Sequence, residues 1–302
     1  MKKTVSALLF SAALVVGCKS AQSLTQQLPP LPAFGTEGHR GARGLMPENS
    51  IPAMRKAIDL GVTTLEMDCH VTRDGQVVVT HDPHINPLYA RTPDGKDIPT
   101  EDAKKHIVYQ MDYAQVKAFE LGTKRYSAYP EQQLVKTYIP RLADLIDSVQ
   151  TYLKTTGKPQ VFYNIEVKSK VAGDNKLHPA SEEFVKAMMQ VIEKKGIAPY
   201  VVIQSFDVRP LQVLHKKYPH VRTSFLVDNK KTVAENLTEL GFTPVIYSPA
   251  HKMVTAELVK ACHDRGIKVI PWTVNTAELM TKLKALGVDG IISDYPNLFA
   301  QQ

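Results

Sequence analysis

From residue 36 onward, short apolar runs alternate with longer stretches in which apolar residues recur every three or four positions. The first pattern is typical of buried strands and the second of amphipathic helices. It predicts strands at 37–41, 64–71, 161–168, 201–205, 223–227, 245–248, 268–274 and 290–293. The predicted helices lie at 49–60, 142–153, 181–195, 209–218, 232–240, 255–265, 276–286 and, shorter, at 296–302. Eight successive βα units in about 260 residues predict an α/β fold, a closed TIM (β/α)8 barrel.

An open, doubly wound sheet is the alternative arrangement of such units, but no glycine-rich dinucleotide fingerprint follows the first strand. Arg73-Asp74-Gly75 is typical of a tight turn and predicts a hairpin whose return strand lies at 77–80. Residues 83–140 then break the alternation with Pro, Tyr and charged residues, and this segment is longer than a βα connection requires. We therefore predict an insertion at 83–140, after the second strand, over one face of the barrel.

The first 18 residues have the composition of a bacterial export signal. A short cationic start precedes an apolar run of about ten residues, too few to span a bilayer, which ends at Cys18 in the sequence LVVGC. This ending resembles a lipobox and predicts lipidation of Cys18, whereas ordinary cleavage that leaves Cys18 as a spare thiol is the alternative. Lys19 is not the Asp that resembles an inner-membrane retention signal. The expected location is therefore the cell envelope, lipid-anchored in the outer membrane and facing the periplasm if the source is Gram-negative.

The remaining chain divides into a tether and one domain. Residues 19–35 are rich in Ser, Gln and Pro and are predicted to be a flexible tether, and 36–302 are predicted to form the barrel domain. Cys69 and Cys262 fall in distant units of that barrel, too far apart for a disulfide, and are expected to be buried thiols.

Composition and charge limit the classes of partner. The chain of 302 residues carries 37 Lys and Arg against 30 Asp and Glu, a formal net charge of +7. Its basic residues are scattered, with no basic stripe interleaved with aromatic residues, so nucleic acid is not an expected partner. A modest positive charge is compatible with an anionic substrate or an acidic membrane surface. The sequence gives no indication of oligomeric state.

Acidic residues lie on two neighbouring predicted strands. Glu66 and Asp68 are two positions apart on the second strand, so both side chains point to the same face, which must be the barrel interior because their neighbours are apolar. Glu166 on the third strand shares an interior face with Lys168 by the same alternation. Each carboxylate alone could belong to an ordinary salt bridge, but three together are costly to bury without a cation. Carboxylates without clustered cysteines predict one divalent cation, Mg2+ or Ca2+, rather than zinc.

Two histidines and two further cations complete the predicted site. His39 ends the first strand and His81 ends the hairpin, so each lies at the barrel end where function resides. Imidazole titrates near neutral pH, and cleavage of a phosphodiester requires one group that takes a proton and another that gives one. Arg40 and Lys168 adjoin the same cluster and could hold a phosphate.

The same residues carry a close resemblance to the glycerophosphodiester phosphodiesterase family. The resemblance extends in order over 36–297, and its motifs are HRGARGLMPENS at 39–50, LEMDCHVTRDGQVVVTHD at 65–82, IPRLADLI at 139–146, NIEVK at 164–168, QSFD at 204–207, PWTVN at 271–275 and DGIISDYP at 289–296. It implies a TIM barrel with an insertion at 83–140 and one divalent metal. It further implies hydrolysis of glycerophosphodiesters to sn-glycerol 3-phosphate and an alcohol.

Family roles carry over to matching positions of this sequence. His39 and His81 would be the general acid and base, in an order that the sequence leaves open, and Trp272 would line the substrate pocket unless it packs in the core. Arg40 and Lys168 would contact phosphate, and the metal ligands would be Glu66, Asp68 and Glu166. By analogy, the glycerol hydroxyl next to the phosphate would attack it, giving a cyclic phosphate that water opens. Glu48 and Asn49 resemble structural support for the first loop.

Two other functions fit the sequence less well. A lysophospholipase D acting on intact lysolipids would keep the barrel and the metal, and the expected membrane anchor is compatible with it. A non-catalytic lipoprotein that binds phosphate esters would normally have lost a ligand or a histidine, and none is missing here. Head-group preference and the choice between Mg2+ and Ca2+ cannot be read from the sequence.

Overall fold

The apolar runs of the sequence form the strands of a parallel barrel. The computed structural model describes residues 28–301. Within them the strands are β1 (Gly35–Gly38), β2 (Thr64–Val71), β3 (Val77–Val79), β4 (Ala90–Arg91), β5 (Glu120–Leu121), β6 (Phe162–Val167), β7 (Val201–Ser205), β8 (Arg222–Val227), β9 (Ile246–Pro249), β10 (Lys268–Val269) and β11 (Gly290–Ser293). Most barrel strands are buried along their whole length, because helices cover the outside and side chains fill the inside.

Eight of these strands run parallel in one ring. Around it the order is β1, β2, β6, β7, β8, β9, β10 and β11, and β11 pairs with β1 in parallel. The remaining gap is closed by backbone hydrogen bonds from Asp289 N to Val269 O (2.8 Å) and from Ile292 N to Pro271 O (3.0 Å). The predicted TIM (β/α)8 barrel is therefore confirmed.

Amphipathic helices cover the outside of the barrel. Apart from α2 (Tyr113–Ala118), which lies in the insertion, they are α1 (Ile51–Asp59), α3 (Leu142–Thr156), α4 (Ser181–Lys194), α5 (Val208–Lys217), α6 (Val233–Leu240), α7 (Ala256–His263) and α8 (Ala277–Ala285). Their apolar faces meet the outward side chains of the strands, including Leu65, Met67 and Cys69 of β2, in the main core. Cys69 and Cys262 are both free and buried, as predicted.

Three predicted boundaries were wrong in ways that affect the site. The first strand ends at Gly38 rather than at residue 41, because Arg40 and Gly41 have positive φ (51° and 85°) and begin a turn. The first helix, α1, begins at Ile51 after its cap Ser50 rather than at the predicted residue 49, and Asn49 itself has a φ of 54°. The seventh strand is regular only over Lys268–Val269, since Pro271 has no N–H to continue the ladder.

The N-terminal segment joins the barrel earlier than predicted. Gly35 already belongs to β1, and Leu31 packs against the apolar cluster inside the barrel. Arg222 also donates a hydrogen bond to the carbonyl of Pro29. The predicted tether at 19–35 is therefore too long at its C-terminal end. Its first part, the signal peptide and Cys18 lie outside the described residues, and no helix in the described part of the chain is long and apolar enough to cross a membrane.

Residues 83–140 form a small insertion with its own core, as predicted. It contains α2 and the two-stranded sheet of β4 and β5. Its cluster comprises Val78, Ile85, Ala90, Ile98, Val108, Tyr113, Val116, Phe119, Leu121 and Ile139. Backbone hydrogen bonds at β3, from Val79 N to Pro140 O (2.9 Å) and from Thr80 N to Asp68 O (2.9 Å), fix where the insertion leaves and rejoins the barrel.

Candidate active site

Three buried carboxylates meet inside the barrel at the carboxyl ends of β2 and β6. Glu66, Asp68 and Glu166 each offer an oxygen, and these oxygens all lie within 4.8 Å of one another. The parallel pairing of β2 with β6, which sets Asp68 opposite Glu166, causes this convergence. The predicted phase of the two strands is thus correct, and the three acids face one another.

Hydrogen-bond donors of the protein hold Glu66 and Asp68 in place. Glu66 accepts from the backbone N–H of Arg40 (2.8 Å) and from the amide of Gln204 (2.9 Å). Asp68 accepts from the amide of Asn49 (2.8 Å), which in turn accepts from the Asp68 backbone N–H (3.2 Å). At Arg40 and at Asn49, the turn that accompanies the positive φ therefore orients a hydrogen-bond donor toward a carboxylate.

Two predicted cations lie against these acids. The ammonium of Lys168 is 3.0 Å from Glu166 Oε1 and 3.7 Å from Asp68 Oδ1. Arg40 Nη1 donates to Glu48 Oε1 (2.7 Å), and its Nε lies 3.2 Å from Asp68 Oδ2 without a well-aligned hydrogen bond. Arg40 thus retains a buried donor that a bound anion could use.

Burial and crowding perturb the acids. Burial, and then the charge of Asp68, raise the pKa of Glu66 well above its usual range. Burial also raises the pKa of Glu166, with Lys168 opposing. Asp68 is buried as deeply, but Arg40 and Lys168 outweigh that cost and hold its pKa well below the usual range.

His39 forms a pair with an acid that the sequence analysis did not select. Its Nδ1 is 2.6 Å from Asp294 Oδ1, and Asp294 also accepts from the Asn275 amide (2.8 Å) and the Tyr129 hydroxyl (3.1 Å). Since the carboxylate fixes the hydrogen on Nδ1, Nε2 is left as the free acceptor, 3.9 Å from Glu66 Oε2. Burial lowers the pKa of His39, although Asp294 opposes this, so the neutral ring is favoured.

His81 has a similar partner on the opposite side of the site. Its Nδ1 is 2.9 Å from Asp82 Oδ1, and Asp82 is held by the amide of Asn86 (2.6 Å). The backbone carbonyl of His81 accepts from His70 Nε2 (3.1 Å). His81 is the more exposed of the two histidines, with 31% of its side chain accessible against 14% for His39. The two imidazoles thus differ in solvation.

A cavity of about 230 Å3 joins these groups, and we call it the phosphate cavity. Its lining includes His39, Arg40, Glu66, His81, Glu166, Lys168 and Trp272. The Trp272 indole N–H donates to Ser248 O (2.9 Å), and its ring meets Phe206 edge-on at 5.3 Å. The tryptophan therefore lines the cavity while its polar edge is held by the barrel.

The acids suit a hard divalent cation. Asp68 Oδ1 is buried and has no hydrogen-bond partner among the described residues, so one oxygen is left to bind something that the protein does not supply. The group of possible ligands consists of three carboxylates and includes neither cysteine nor histidine, which is the donor set of Mg2+ or Ca2+. The residues present therefore fit the predicted metal.

Comparisons with known proteins agree with this site. The sequence profile of the Glycerophosphoryl diester phosphodiesterase family matches residues 39–298. The chain belongs to this family. A glycerophosphodiester phosphodiesterase of Caldanaerobacter subterraneus is 28% identical over 258 residues, which are 85% of this chain and 93% of that protein. Lysophospholipase D GDPD3 of mouse is a more distant relative, 22% identical over 289 residues, 89% of this chain and 82% of that protein.

Solved structures share the barrel of this chain. A Silicibacter pomeroyi protein assigned to these enzymes has a TM-score of 0.78 and 29% identity, covering 89% of this chain and 93% of its own. An Oleispira antarctica phosphodiesterase, solved in complex with the product sn-glycerol-3-phosphate, has a TM-score of 0.70 and 23% identity, covering 90% and 96%.

The structure of this family member places the predicted site residues of the barrel other than Asp68 in the lining of one cavity, and Asp68 lies in the carboxylate cluster with Glu66 and Glu166. It also adds several residues that were missed. Arg43, a loop residue that the sequence analysis did not select, lines the phosphate cavity, donates to Glu48 (2.6 Å) and stacks on Tyr129 (4.5 Å). Tyr129 comes from the insertion, which therefore contributes to the site. Asp294 could have been found, because it directly follows the last strand, whose end lies beside His39 once the barrel closes.

Proposed function

We propose that this chain hydrolyses glycerophosphodiesters to sn-glycerol 3-phosphate and an alcohol, with a divalent cation held by Glu66, Asp68 and Glu166. Family membership supports the reaction class. The observation that supports the cation and the catalytic histidines is the convergence of three buried carboxylates near two imidazoles, each imidazole held by its own aspartate. When bound, the cation would act as a Lewis acid that offsets charge on the phosphate oxygens.

The protein's own groups would bind and orient the phosphate. The ammonium of Lys168 and the unsatisfied Nε of Arg40 both face the acids, where a phosphate oxygen could accept from them. Charge that develops on the phosphate would be stabilised by the same donors, which the ion pairs with Glu166 and Glu48 hold in place.

Proton transfer would use the two histidines in complementary states. Neutral His39, with its hydrogen fixed on Nδ1 by Asp294, would take the proton of the glycerol C2 hydroxyl as that oxygen attacks phosphorus. His81, as imidazolium, would give its proton to the departing alkoxide, and the products of this step are a cyclic phosphate and the free alcohol. Water would then open the cyclic phosphate with the two roles reversed. Both histidines return to their initial states.

A substrate panel tests the proposal. The full-length chain, purified in detergent, should release sn-glycerol 3-phosphate from glycerophosphocholine, lose turnover in chelator and regain it with Mg2+ or Ca2+. Glu66→Gln should lose at least about 100-fold in activity together with the heat of cation binding, while its far-UV circular dichroism is unchanged. Full activity in Glu66→Gln would refute the ligand assignment. No turnover of any diester by the wild type would refute the enzyme and leave a binding protein.

A lysophospholipase D activity is the second candidate, favoured by the mouse relative and by exposed Phe206, which has 43% of its surface accessible at the rim of the site. Choline release from lysophosphatidylcholine in the same panel measures it. We expect the water-soluble diester to be the better substrate by kcat/KM, since charged and polar groups dominate the floor of the site.

We also propose that the protein is attached to the outer membrane, facing the periplasm, through a lipid on Cys18. The lipobox-like sequence is the support for this anchor. Cells fed labelled palmitate should label the wild-type chain but not Cys18→Ala, which should fractionate as a soluble protein. Equal labelling of both would refute the anchor.

A further inference from the structure

A second cavity adjoins the phosphate cavity and shares one wall with it. It measures about 300 Å3, and we call it the outer cavity. The residues common to both are His81, Glu166, Lys168 and Phe206. His39, Arg40 and Glu66 line only the phosphate cavity, whereas Ser169 and Lys170 line only the outer one. A diester bound at Lys168 therefore has room for one substituent on each side.

The two cavities are suited to different substituents of the diester. The glycerol hydroxyl that attacks phosphorus needs the acceptor Nε2 of His39, which faces only the phosphate cavity. The other substituent is the alcohol that leaves, and His81 lies on the wall between the cavities where its oxygen would be protonated. The leaving alcohol accordingly belongs in the outer cavity. This assignment rests on the proposed function.

The outer cavity has a lysine, Lys170, that forms no ion pair with the described residues. Glu166 is neutralised by Lys168 at 3.0 Å, and the Asp82 carboxylate is occupied by His81 and Asn86. Lys170 is exposed, and among residues 28–301 no acid forms an ion pair with its ammonium. Its backbone N–H donates to His178 Nε2 (3.1 Å), and His178 Nδ1 donates to Pro179 O (2.9 Å), so the lysine has a defined place on the rim.

The outer cavity also lacks the set of aromatic side chains that a quaternary ammonium group requires. Recognition of choline normally uses several aromatic faces around the cation, and Phe206 is the one aromatic carbocycle in this lining. We propose that the outer cavity binds the leaving alcohol and that Lys170 makes the enzyme prefer head groups bearing an anionic group over neutral ones, and neutral ones over choline.

Three diesters that differ in head-group charge test the preference: glycerophosphocholine, glycerophosphoglycerol and glycerophosphoinositol 4-phosphate. The wild type should show the highest kcat/KM with the anionic head group and the lowest with choline. Lys170→Glu should shift the anion-to-choline ratio of kcat/KM by on the order of ten-fold toward choline. The shift is modest because the charge of an exposed side chain contributes little interaction energy with the head group. In about 1 M salt, where the Debye length is about 3 Å, most of the wild-type preference should disappear.

Lys176→Glu is the matched control. Lys176 is an exposed lysine of the same loop, undergoes the same change of charge and does not line the cavity. Its kcat/KM ratio should stay within two-fold of the wild type. An unshifted ratio in Lys170→Glu, an equal shift in both variants, or a wild type that prefers choline would overturn the proposal while the phosphodiesterase stands. A wild type inert toward all three diesters would overturn both.

Discussion

Replacing Glu37 with Gln should make the protein more stable above neutral pH. Glu37 is only 3% exposed, lies on β1 inside the barrel and has one hydrogen-bond donor, the Asn164 amide at 2.8 Å. Burial raises its pKa from 4.5 to about 7, although Asn164 opposes this. The folded protein therefore holds a proton that the unfolded chain has released between these two values, and its stability must fall as pH rises through that window.

The magnitude follows from the shift. About 2.5 pKa units at about 1.4 kcal/mol each amount to about 3 kcal/mol, fully lost once pH exceeds the folded-state pKa. Gln has the same shape, carries no charge and can still accept from Asn164. Glu37→Gln should thus match the wild type near pH 4 and exceed its stability by up to about 3 kcal/mol near pH 8.

Urea unfolding across this pH range, in chelator, measures the difference. Trp272 is the only tryptophan and reports the transition alongside far-UV circular dichroism. Other groups titrate in the same window, but they cancel when the variant is compared with the wild type. Glu183→Gln, the same replacement at an exposed position of α4, is the control for replacing a carboxylate by an amide. A difference between Glu37→Gln and the wild type that does not change with pH would refute the buried, protonated carboxyl.

Two further predictions concern proton transfer. Asp294→Asn should lower kcat by on the order of 1,000-fold with little change in KM. The reason is that an amide can donate to His39 Nδ1 and invert the tautomer, as for the buried aspartate of serine proteases. A loss of activity below ten-fold would contradict the pairing of His39 with Asp294. His81→Asn should lose far less activity on the p-nitrophenyl ester of glycerol 3-phosphate, whose leaving group needs no proton, than on glycerophosphocholine. His39→Asn should lose activity equally on both substrates. The reverse pattern would make His39 the general acid and His81 the general base.

The sequence predicted the parts of the site that depend on local periodicity. Strand side chains alternate with period two whatever the fold, so the common face of Glu66 and Asp68, and that of Glu166 and Lys168, followed directly from their spacing. Eight βα units then required the two strands to be neighbours. The same logic predicted the insertion, because 83–140 matched neither period.

The missed features depend on geometry that no local pattern contains. The pairing of His39 with Asp294 spans 255 residues and arises only because the last strand closes against the first. The φ of 54° at Asn49 turns a residue that looks like a helix cap into a holder of Asp68. Tyr129 reaches the site from an insertion whose path over the barrel depends on its own small core.

Charge at the floor of the phosphate cavity connects the perturbed acids to the proposed cation. Apart from the histidine–aspartate pairs, buried carboxylates outnumber cations by one there: Glu48, Glu66, Asp68 and Glu166 against Arg40, Arg43 and Lys168. Without a cation, burial and the charge of Asp68 raise the pKa of Glu66 and favour its protonated form, which reduces this excess.

Among these groups, a divalent cation would reverse the excess to one positive charge. Binding of the cation must then expel the proton of Glu66, so cation affinity should rise with pH. Calorimetry of Mg2+ or Ca2+ binding in two buffers with different ionisation enthalpies counts the released proton. Equal heats in the two buffers would mean that Glu66 is already ionised, and the charge argument for the cation would fail. In Glu66→Gln, which has no such proton, any residual binding heat should be independent of the buffer.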